Sequence, residues 1–119
     1  MSTLKIFSYA RCSTCRKALL WLDSNRVHYE LVDITLDPPD RSRLARALDQ
    51  LERRQLLINT SGQSYRALGA GVVKAMSDEQ VLDALAADGR LIKRPFVELQ
   101  SGQFLVGFKP EVWSQVLLS

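Results

Sequence analysis

The chain has 119 residues, enough for one domain with a buried core, and its hydrophobic and charged fractions of 46% and 24% are ordinary for a globular protein. No apolar run approaches the roughly 20 residues of a membrane span, and the first residues lack the charged start and apolar middle of a signal peptide. A net charge of +3 is too small to indicate nucleic-acid binding. With only two closely spaced cysteines, we expect a cytoplasmic protein that binds neither membranes nor nucleic acid directly.

The first third of the chain predicts a βαβ unit. Apolar residues at 4–7 form a short buried strand, and a helix follows from about Ser13 to Ser24 with one apolar face. Alternating residues at 28–34 form a second strand. The two strands of such a unit lie parallel, with a right-handed crossover.

The middle of the chain predicts a helical stretch. Residues 37–40 (Asp-Pro-Pro-Asp) break the chain and cap the next helix, whose inner face carries Leu44, Ala47, Leu48 and Leu51. A loop at 59–63 leads into a short helix at 64–68. A capping box at 77–80 opens another helix, for which Gly89 is the expected stop.

The last third predicts a hairpin and a final helix. Strands at 95–99 and 103–106 flank Gln100-Ser101-Gly102, a turn with glycine. Pro110 suits the first position of a helix that ends near Leu118. The predicted order is therefore βαβ, a helical stretch, then ββα.

Two cysteines stand three positions apart where the first strand gives way to the first helix. A helix N-terminus carries partial positive charge and unpaired N–H groups, so Cys12 and Cys15 lie in a setting that stabilises a thiolate. Arg11, Arg16 and Lys17 add nearby cations. The stretch predicts a redox or anion-handling thiol site.

Two other interpretations of the pair stay open. A four-ligand zinc site needs two more ligands, and the chain offers no third cysteine and a single histidine, so we expect no metal. Two buried, inert cysteines are also common in protein cores. The polar spacer Ser13-Thr14 favours an accessible turn, and its hydroxyl and N–H groups are suited to holding an anion.

Four segments in order resemble a known family. Tyr9–Lys17, Asn59–Arg66, Leu91–Pro95 and Val106–Lys109 together are similar to segments of the arsenate-reductase-like (ArsC/Spx/MgsR) family. This resemblance covers nearly the whole chain. It implies one α/β domain over residues 1–119 with a thioredoxin-like fold and a helical insertion at about 37–92.

The resemblance also implies site residues. Cys12 corresponds to the family's nucleophilic cysteine, and Arg94 to an arginine that precedes a cis-proline, here Pro95, and faces the thiol. A cis X-Pro bond costs little compared with other cis bonds. A guanidinium there offers a fork of donors to an oxyanion or a thiolate.

The chain departs from the arsenate reductases at two of their three oxyanion-binding arginines. The first position holds Ile58 or Asn59, and the third falls near Lys109, which keeps a point charge without the bidentate fork. Those enzymes rely on a single nucleophilic cysteine and an external thiol. Cys15, in contrast, matches the Cys-x-x-Cys pair of the Spx-like and MgsR-like regulators.

Two functions are therefore expected. In the first, a thiol oxidoreductase uses Cys12 as nucleophile and Cys15 as resolving thiol, with Arg11, Ser13, Thr14 and Lys109 binding the anion and Arg94 stabilising it. It needs no bound cofactor, only an external reductant such as glutathione with glutaredoxin, or thioredoxin.

In the second, the pair is the redox switch of a transcriptional regulator that binds RNA polymerase. The five arginines between Arg41 and Arg54 are then a candidate docking face. Because acidic residues are interspersed among them, the sequence favours a solvated helix face instead.

Overall fold

A computed structural model describes residues 3–119, which form two compact units. One comprises the chain up to Asp33 together with Arg94–Ser119, and the other comprises Ile34–Lys93. The prediction that residues 1–119 form one domain stays a prediction. No helix among the described residues is both long and apolar enough to cross a bilayer.

The first unit contains a four-stranded sheet and two helices. Its elements are β1 (Leu4–Ser8), α1 (Ser13–Ser24), β2 (Tyr29–Asp33), β3 (Phe96–Glu98), β4 (Phe104–Val106) and α6 (Pro110–Leu117). The strand order is β2-β1-β3-β4, with β1 parallel to β2 and antiparallel to β3, and with β3 antiparallel to β4. The predicted βαβ and ββα halves are therefore both present.

The core of the first unit lies where α1 and α6 cover the sheet. Buried apolar residues from all three regions form one cluster, namely Leu4, Ile6, Ala18, Leu22, Val97, Leu105 and Trp113. The Trp113 ring packs edge-on against Trp21 and Phe108, with centroid distances of 5.8 and 4.8 Å. Such aromatic pairs stabilise a core beyond the area they bury, so α1 is held firmly against the sheet.

The second unit is helical. It contains α2 (Arg41–Gln50), α3 (Gln63–Leu68), α4 (Ala70–Ala75) and α5 (Asp78–Ala87), with 3₁₀ turns at Arg54–Leu57 and Gly89–Leu91. The Asp40 cap and the Ser77–Gln80 capping box are both present. The sequence did not predict α4, which follows α3 directly because Gly69 turns the chain at φ 91°.

The predicted end of α5 agrees with the structure. The helix ends at Ala87 with Asp88 as its C-cap, so Gly89 is the first residue beyond the cap. Gly89 also starts a 3₁₀ turn, and a Cβ there would overlap the Ile34 carbonyl oxygen. The glycine is required by this close backbone approach.

Two of the arginines between Arg41 and Arg54 are bound within the second unit. Arg41 pairs with Glu79 and with Asp83, whose Oδ1 is 2.7 Å from Nε. Arg54 pairs with Asp78 at 3.0 Å and also donates to the carbonyl oxygens of Val73 and Lys74. These two side chains therefore hold the helices of this unit together.

The end of α1 contains a non-glycine residue in the left-handed region. Arg26 has φ 56° and donates its N–H to the Asp23 carbonyl, while Val27 donates to the Leu22 carbonyl. These two bonds form a Schellman motif, in which glycine is the usual residue at the left-handed position. A Cβ in this conformation costs roughly 1–2 kcal/mol.

We expect Arg26→Gly to be more stable than Arg26→Ala by about 1 kcal/mol, because both variants lack the guanidinium and only alanine keeps the Cβ. Urea unfolding of the two variants measures the difference. An alanine variant as stable as the glycine variant would contradict the strain at this position.

Candidate active site

Cys12 is the N-cap of α1. Its backbone is extended (φ −90°, ψ 115°), and its Sγ accepts the N–H of Cys15 at 3.3 Å. The Cys12 N–H donates to the Tyr9 carbonyl at 3.0 Å, which closes the loop between β1 and α1. The Cys-x-x-Cys turn is thus held by one backbone–backbone hydrogen bond and by one hydrogen bond from a backbone N–H to a sulfur.

The half-buried Cys12 side chain is the more acidic thiol. Burial on its own raises the pKa of Cys12, but hydrogen bonds from the Cys15 side chain and amide, a hydrogen bond from Arg94 and the guanidinium charge together bring it below its ordinary value. Donors and cations beside a sulfur favour the thiolate. Cys12 therefore has the properties of a nucleophile.

The Cys15 side chain is fully buried. Its burial, the hydrogen bond to Cys12 and the negative charge on Cys12 raise the pKa of Cys15 to about 11, although Ser8 and the Tyr9 backbone act in the opposite direction. Both cysteines are free thiols. The pair is asymmetric, with a reactive outer sulfur and a protonated inner one.

Arg94 reaches this site from the start of β3. It is half-buried, and the bond between Arg94 and the buried Pro95 is cis. The guanidinium carbon lies over the Tyr9 ring at 5.3 Å from its centroid. Contact with an aromatic face favours a cation at this distance, so Tyr9 and the Cys12 sulfur together orient Arg94.

The other predicted anion-binding residues differ in position. Arg11, Ser13 and Thr14 flank Cys12 and are exposed, and the N–H groups of Ser13 and Thr14 lie in the first turn of α1. Lys109 is exposed just before α6, on the segment whose Gly107 N–H donates to the Pro95 carbonyl at 2.9 Å. Among residues 3–119, we see no contact between the Lys109 side chain and either thiol.

Ile58 and Asn59, which stand where the arsenate reductases have the first of their three oxyanion-binding arginines, make their contacts within the second unit. Ile58 is buried and forms a β-bridge with Ile92. Asn59 is also buried, and its Nδ2 donates to the Arg90 carbonyl at 3.2 Å. Both side chains are occupied by packing or hydrogen bonding within this unit.

The sequence did not single out Ser8, and for Tyr9 it indicated only a place beside the thiol loop, lining the site. Ser8 is buried at the end of β1, where its hydroxyl acts to lower the pKa of the Cys15 thiol, and the Tyr9 ring contacts Arg94. The signal for Ser8 was a hydroxyl following the apolar residues Ile6 and Phe7. A buried hydroxyl requires a partner, and that partner could not be read from the strand alone.

A mixed sheet of this order, with a thiol pair at the start of the first helix and a cis-proline before β3, defines a thioredoxin-fold protein with a Cys-x-x-Cys pair. Residues 7–116 match the ArsC family. The chain belongs to that family, as the resemblance indicated.

Relatives of nearly the same length support both the family and the fold. The uncharacterized protein YusI of Bacillus subtilis is 34% identical over 116 residues, covering 95% of this chain and 97% of YusI. A possible arsenate reductase from Streptococcus mutans has a TM-score of 0.83 at 36% identity, covering 92% and 93% of the two chains. An ArsC family related protein from Bacteroides fragilis has a TM-score of 0.87 at 34% identity, covering 95% and 96%.

More distant relatives are named as regulators. The regulatory protein MgsR of Bacillus subtilis is 24% identical, covering 90% of this chain and 84% of MgsR. The global transcriptional regulator Spx of Streptococcus agalactiae is also 24% identical, covering 91% of this chain and 78% of Spx. The proteins to which this chain is similar therefore carry both kinds of name.

We expect Arg94→Gln to raise the pH midpoint of Cys12 alkylation by iodoacetamide, because the variant loses a donor and a positive charge beside the sulfur. At about pH 6.5, alkylation should slow roughly threefold to tenfold. The rate is read from intact-protein mass spectra across pH.

Arg11→Gln is the matched control, since Arg11 is an exposed arginine next to Cys12. It should leave the midpoint unchanged. Equal effects of the two substitutions would mean that general positive charge, and not the Arg94 contact, lowers the Cys12 pKa.

Proposed function

We propose that the protein is an arsenate-reductase-like thiol oxidoreductase in which Cys12 is the nucleophile and Cys15 the resolving thiol. The observation that carries the proposal is the geometry of the pair: Cys12 Sγ lies at the N-cap of α1 and accepts the Cys15 N–H at 3.3 Å, while the Cys15 side chain is fully buried. The direction of the two pKa values, lowered at Cys12 and raised at Cys15, agrees with this geometry. Thiol exchange requires such a division between an attacking thiolate and a second thiol within reach.

With a disulfide substrate, the first step is attack by the Cys12 thiolate on one substrate sulfur. A mixed disulfide with Cys12 forms, the substrate S–S bond breaks, and the other substrate sulfur leaves as a thiolate that takes a proton from solvent. Cys15 then attacks Cys12 Sγ. The Cys12–Cys15 bond forms, the mixed disulfide breaks, and the Cys15 proton passes through solvent to the second leaving thiolate.

With arsenate, the same residues perform an analogous reaction. Cys12 forms a bond to arsenic, and an arsenate oxygen leaves as water after protonation. When Cys15 attacks Cys12 Sγ, the S–As bond breaks and its electron pair stays on arsenic. Arsenic(V) is reduced to arsenic(III), and the two thiols are oxidised to one disulfide.

Arg94 contributes positive charge in both the disulfide reaction and the arsenate reaction. Its guanidinium stabilises the Cys12 thiolate before attack, and it can offer donors to an oxyanion or to a departing thiolate. Exposed Arg11, Ser13 and Thr14, beside Cys12, supply further cationic and N–H groups. Lys109 completes the proposed anion-binding set as a point charge.

The catalytic cycle needs an external reductant to open the Cys12–Cys15 disulfide. We propose that a cellular thiol system does this, either glutathione with glutaredoxin or thioredoxin, and that the protein carries no cofactor of its own. Such systems operate in a reducing compartment, in agreement with the expected cytoplasmic location.

The proposal predicts arsenate-dependent NADPH consumption by the purified protein when glutathione, glutaredoxin and glutathione reductase are supplied, or when a thioredoxin system replaces them. Cys12→Ser should reduce the rate to that of the protein-free blank, because serine forms no thiolate. Cys15→Ser should stop turnover by the pair and, with glutathione disulfide as substrate, accumulate one glutathionyl group on Cys12. Intact-protein mass spectrometry detects that adduct.

Undiminished turnover by the Cys12 variant would exclude the scheme. Activity with glutathione disulfide but not with arsenate would assign the substrate to the disulfide class.

The second candidate is a redox-controlled regulator, which the relatives named MgsR and Spx favour. In that case, oxidation of Cys12 and Cys15 changes a surface that binds RNA polymerase. Coupling requires that the dithiol and disulfide forms bind with different affinity. Arg41 and Arg54 already hold acidic partners, so they contribute less free charge to docking than the sequence indicated.

This candidate predicts that immobilised RNA polymerase retains the reduced and oxidised proteins to different extents, by about fivefold or more. The Cys12→Ser/Cys15→Ser double variant, which cannot form the disulfide, serves as the control and should respond to neither reductant nor oxidant. Equal retention of both redox forms would exclude a switch, and no retention would exclude the regulator.

A further inference from the structure

A cavity lies at the end of the first unit away from the thiol pair. Its volume is about 630 Å³, within the range of about 300–1,000 Å³ that is typical of small-molecule sites. Leu4, the first residue of β1, lines the cavity, whereas the thiols follow Ser8 at the other end of this strand. Every described residue that lines the cavity belongs to the first unit. The cavity is therefore separate from the candidate active site.

Three segments form the walls of the cavity. The first is the turn after α1 (25–28), which the Schellman bonds close and whose His28 carbonyl accepts the Leu4 N–H at 3.3 Å. The second is the hairpin turn (99–103), closed by two backbone hydrogen bonds of 2.9 Å. The third is the end of α6 (116–118). Because hydrogen bonds hold these turns, the cavity is largely pre-formed, as small-molecule sites usually are.

The more buried part of the lining is apolar. Leu4 is 4% exposed, and it is joined by four partly buried side chains that pack against the core of the first unit, namely Val27, Leu99, Val116 and Leu117. Apolar surface of this kind favours the removal of an aliphatic group from water. The lining therefore suits a ligand with an apolar body.

The exposed part of the lining is polar. Arg26 and His28 contribute a guanidinium and an imidazole, and neighbouring side chains contribute amides and hydroxyls, among them Asn25, Gln100, Ser101 and Gln103. None of the described lining residues is acidic. The rim therefore offers a positive charge and hydrogen-bond donors next to the apolar surface.

Arg26 is the strained residue of the turn after α1. Its φ of 56° lies where glycine is the usual residue. Among residues 3–119, we see no ion pair and no side-chain hydrogen bond of Arg26, while Asp23 in the same turn accepts the Tyr29 hydroxyl at 2.9 Å. Strained backbone positions cluster at ligand sites, so this exposed guanidinium indicates a ligand of negative charge.

The ends of α1 and α6 oppose an anion, since the C-terminus of a helix carries partial negative charge. At the end of α1, three backbone N–H groups bind the last carbonyls, and Asn25 Nδ2 also donates to the Trp21 carbonyl at 2.8 Å. At the end of α6, the Leu118 N–H donates to the Ser114 carbonyl at 3.0 Å. The full charge of Arg26 is therefore the largest charge that a ligand meets at the rim.

We propose that this cavity binds a small organic monocarboxylate, whose carboxylate pairs with Arg26 and whose aliphatic body lies on the apolar lining. A guanidinium fork matches the two oxygens of a carboxylate. One arginine suffices for a singly charged head group, and the apolar lining favours such a ligand over an inorganic anion. This site goes beyond the proposed thiol chemistry and does not depend on it.

The test is a titration of the ¹⁵N-labelled full chain with octanoate. In ¹H–¹⁵N correlation spectra, octanoate should shift the amides of the three walls, with a dissociation constant of about 1 mM or below. The amides of the thiol loop (9–15) should stay in place. Octanol and octylamine carry the same apolar body with a neutral and a cationic head group, and both should bind at least about tenfold more weakly.

Substitutions of Arg26 separate binding from folding. Arg26→Gln removes the charge and should weaken octanoate binding about tenfold. Arg26→Gly should weaken binding equally, yet unfold in urea at no lower concentration than the parent protein, because glycine relieves the left-handed strain. Arg16→Gln is the matched control, since Arg16 is an exposed arginine of the same unit that does not line the cavity. It should leave the dissociation constant within about twofold.

The outcomes separate this inference from the proposed function. Octanoate binding that Arg26→Gln leaves unchanged, or equal binding of octanol or octylamine, would overturn the carboxylate site. Unshifted wall amides, or shifts at the thiol loop in their place, would overturn its location. An Arg26→Gly protein less stable than the parent would overturn the argument from strain. The titration needs no turnover, so it decides on the cavity even where arsenate and disulfide assays fail.

Discussion

The hydrogen bond from the Cys15 N–H to Cys12 Sγ is the interaction on which the site depends. It gives α1 its N-cap, and it also stabilises the thiolate. Starting the helix at Cys12 fixes its register, so Cys15 faces inward with Ala18 and Leu22. The same hydrogen bond therefore starts the helix and activates the proposed nucleophile. A side chain at position 12 that cannot accept this hydrogen bond would disturb both the start of the helix and the thiolate.

The central position of β1 explains why its carboxyl end can carry a precise site. β1 is paired on one side with β2 and on the other with β3, and its residues Ile6 and Phe7 are buried. Ser8 and Tyr9 follow directly, so their donors and the Tyr9 ring are held by the sheet. Functional groups at the end of a rigid strand are placed more accurately than groups on a free loop.

Much of this arrangement could be predicted from the sequence, and the features that could not be predicted were missed for physical reasons. The bounds of α1, the capping box before α5 and the hairpin depend on local signals, which a single sequence contains. The helix α4 was missed because its signal is short and follows a glycine that reads as a stop. Ser8 was missed because a hydroxyl at a strand end is informative only when its three-dimensional partner, Cys15, is known.

The contact of Arg94 with the Tyr9 ring has a consequence for the proposed reaction. A cation held by the thiolate alone would lose its anchor once the sulfur became covalently bound, and would have to be recaptured for each cycle. The aromatic ring, at 5.3 Å, offers a second attraction that does not vary with the oxidation state of the sulfur. In the proposed cycle, the guanidinium can thus stay in place, with little reorganisation between the binding of an anion and its release.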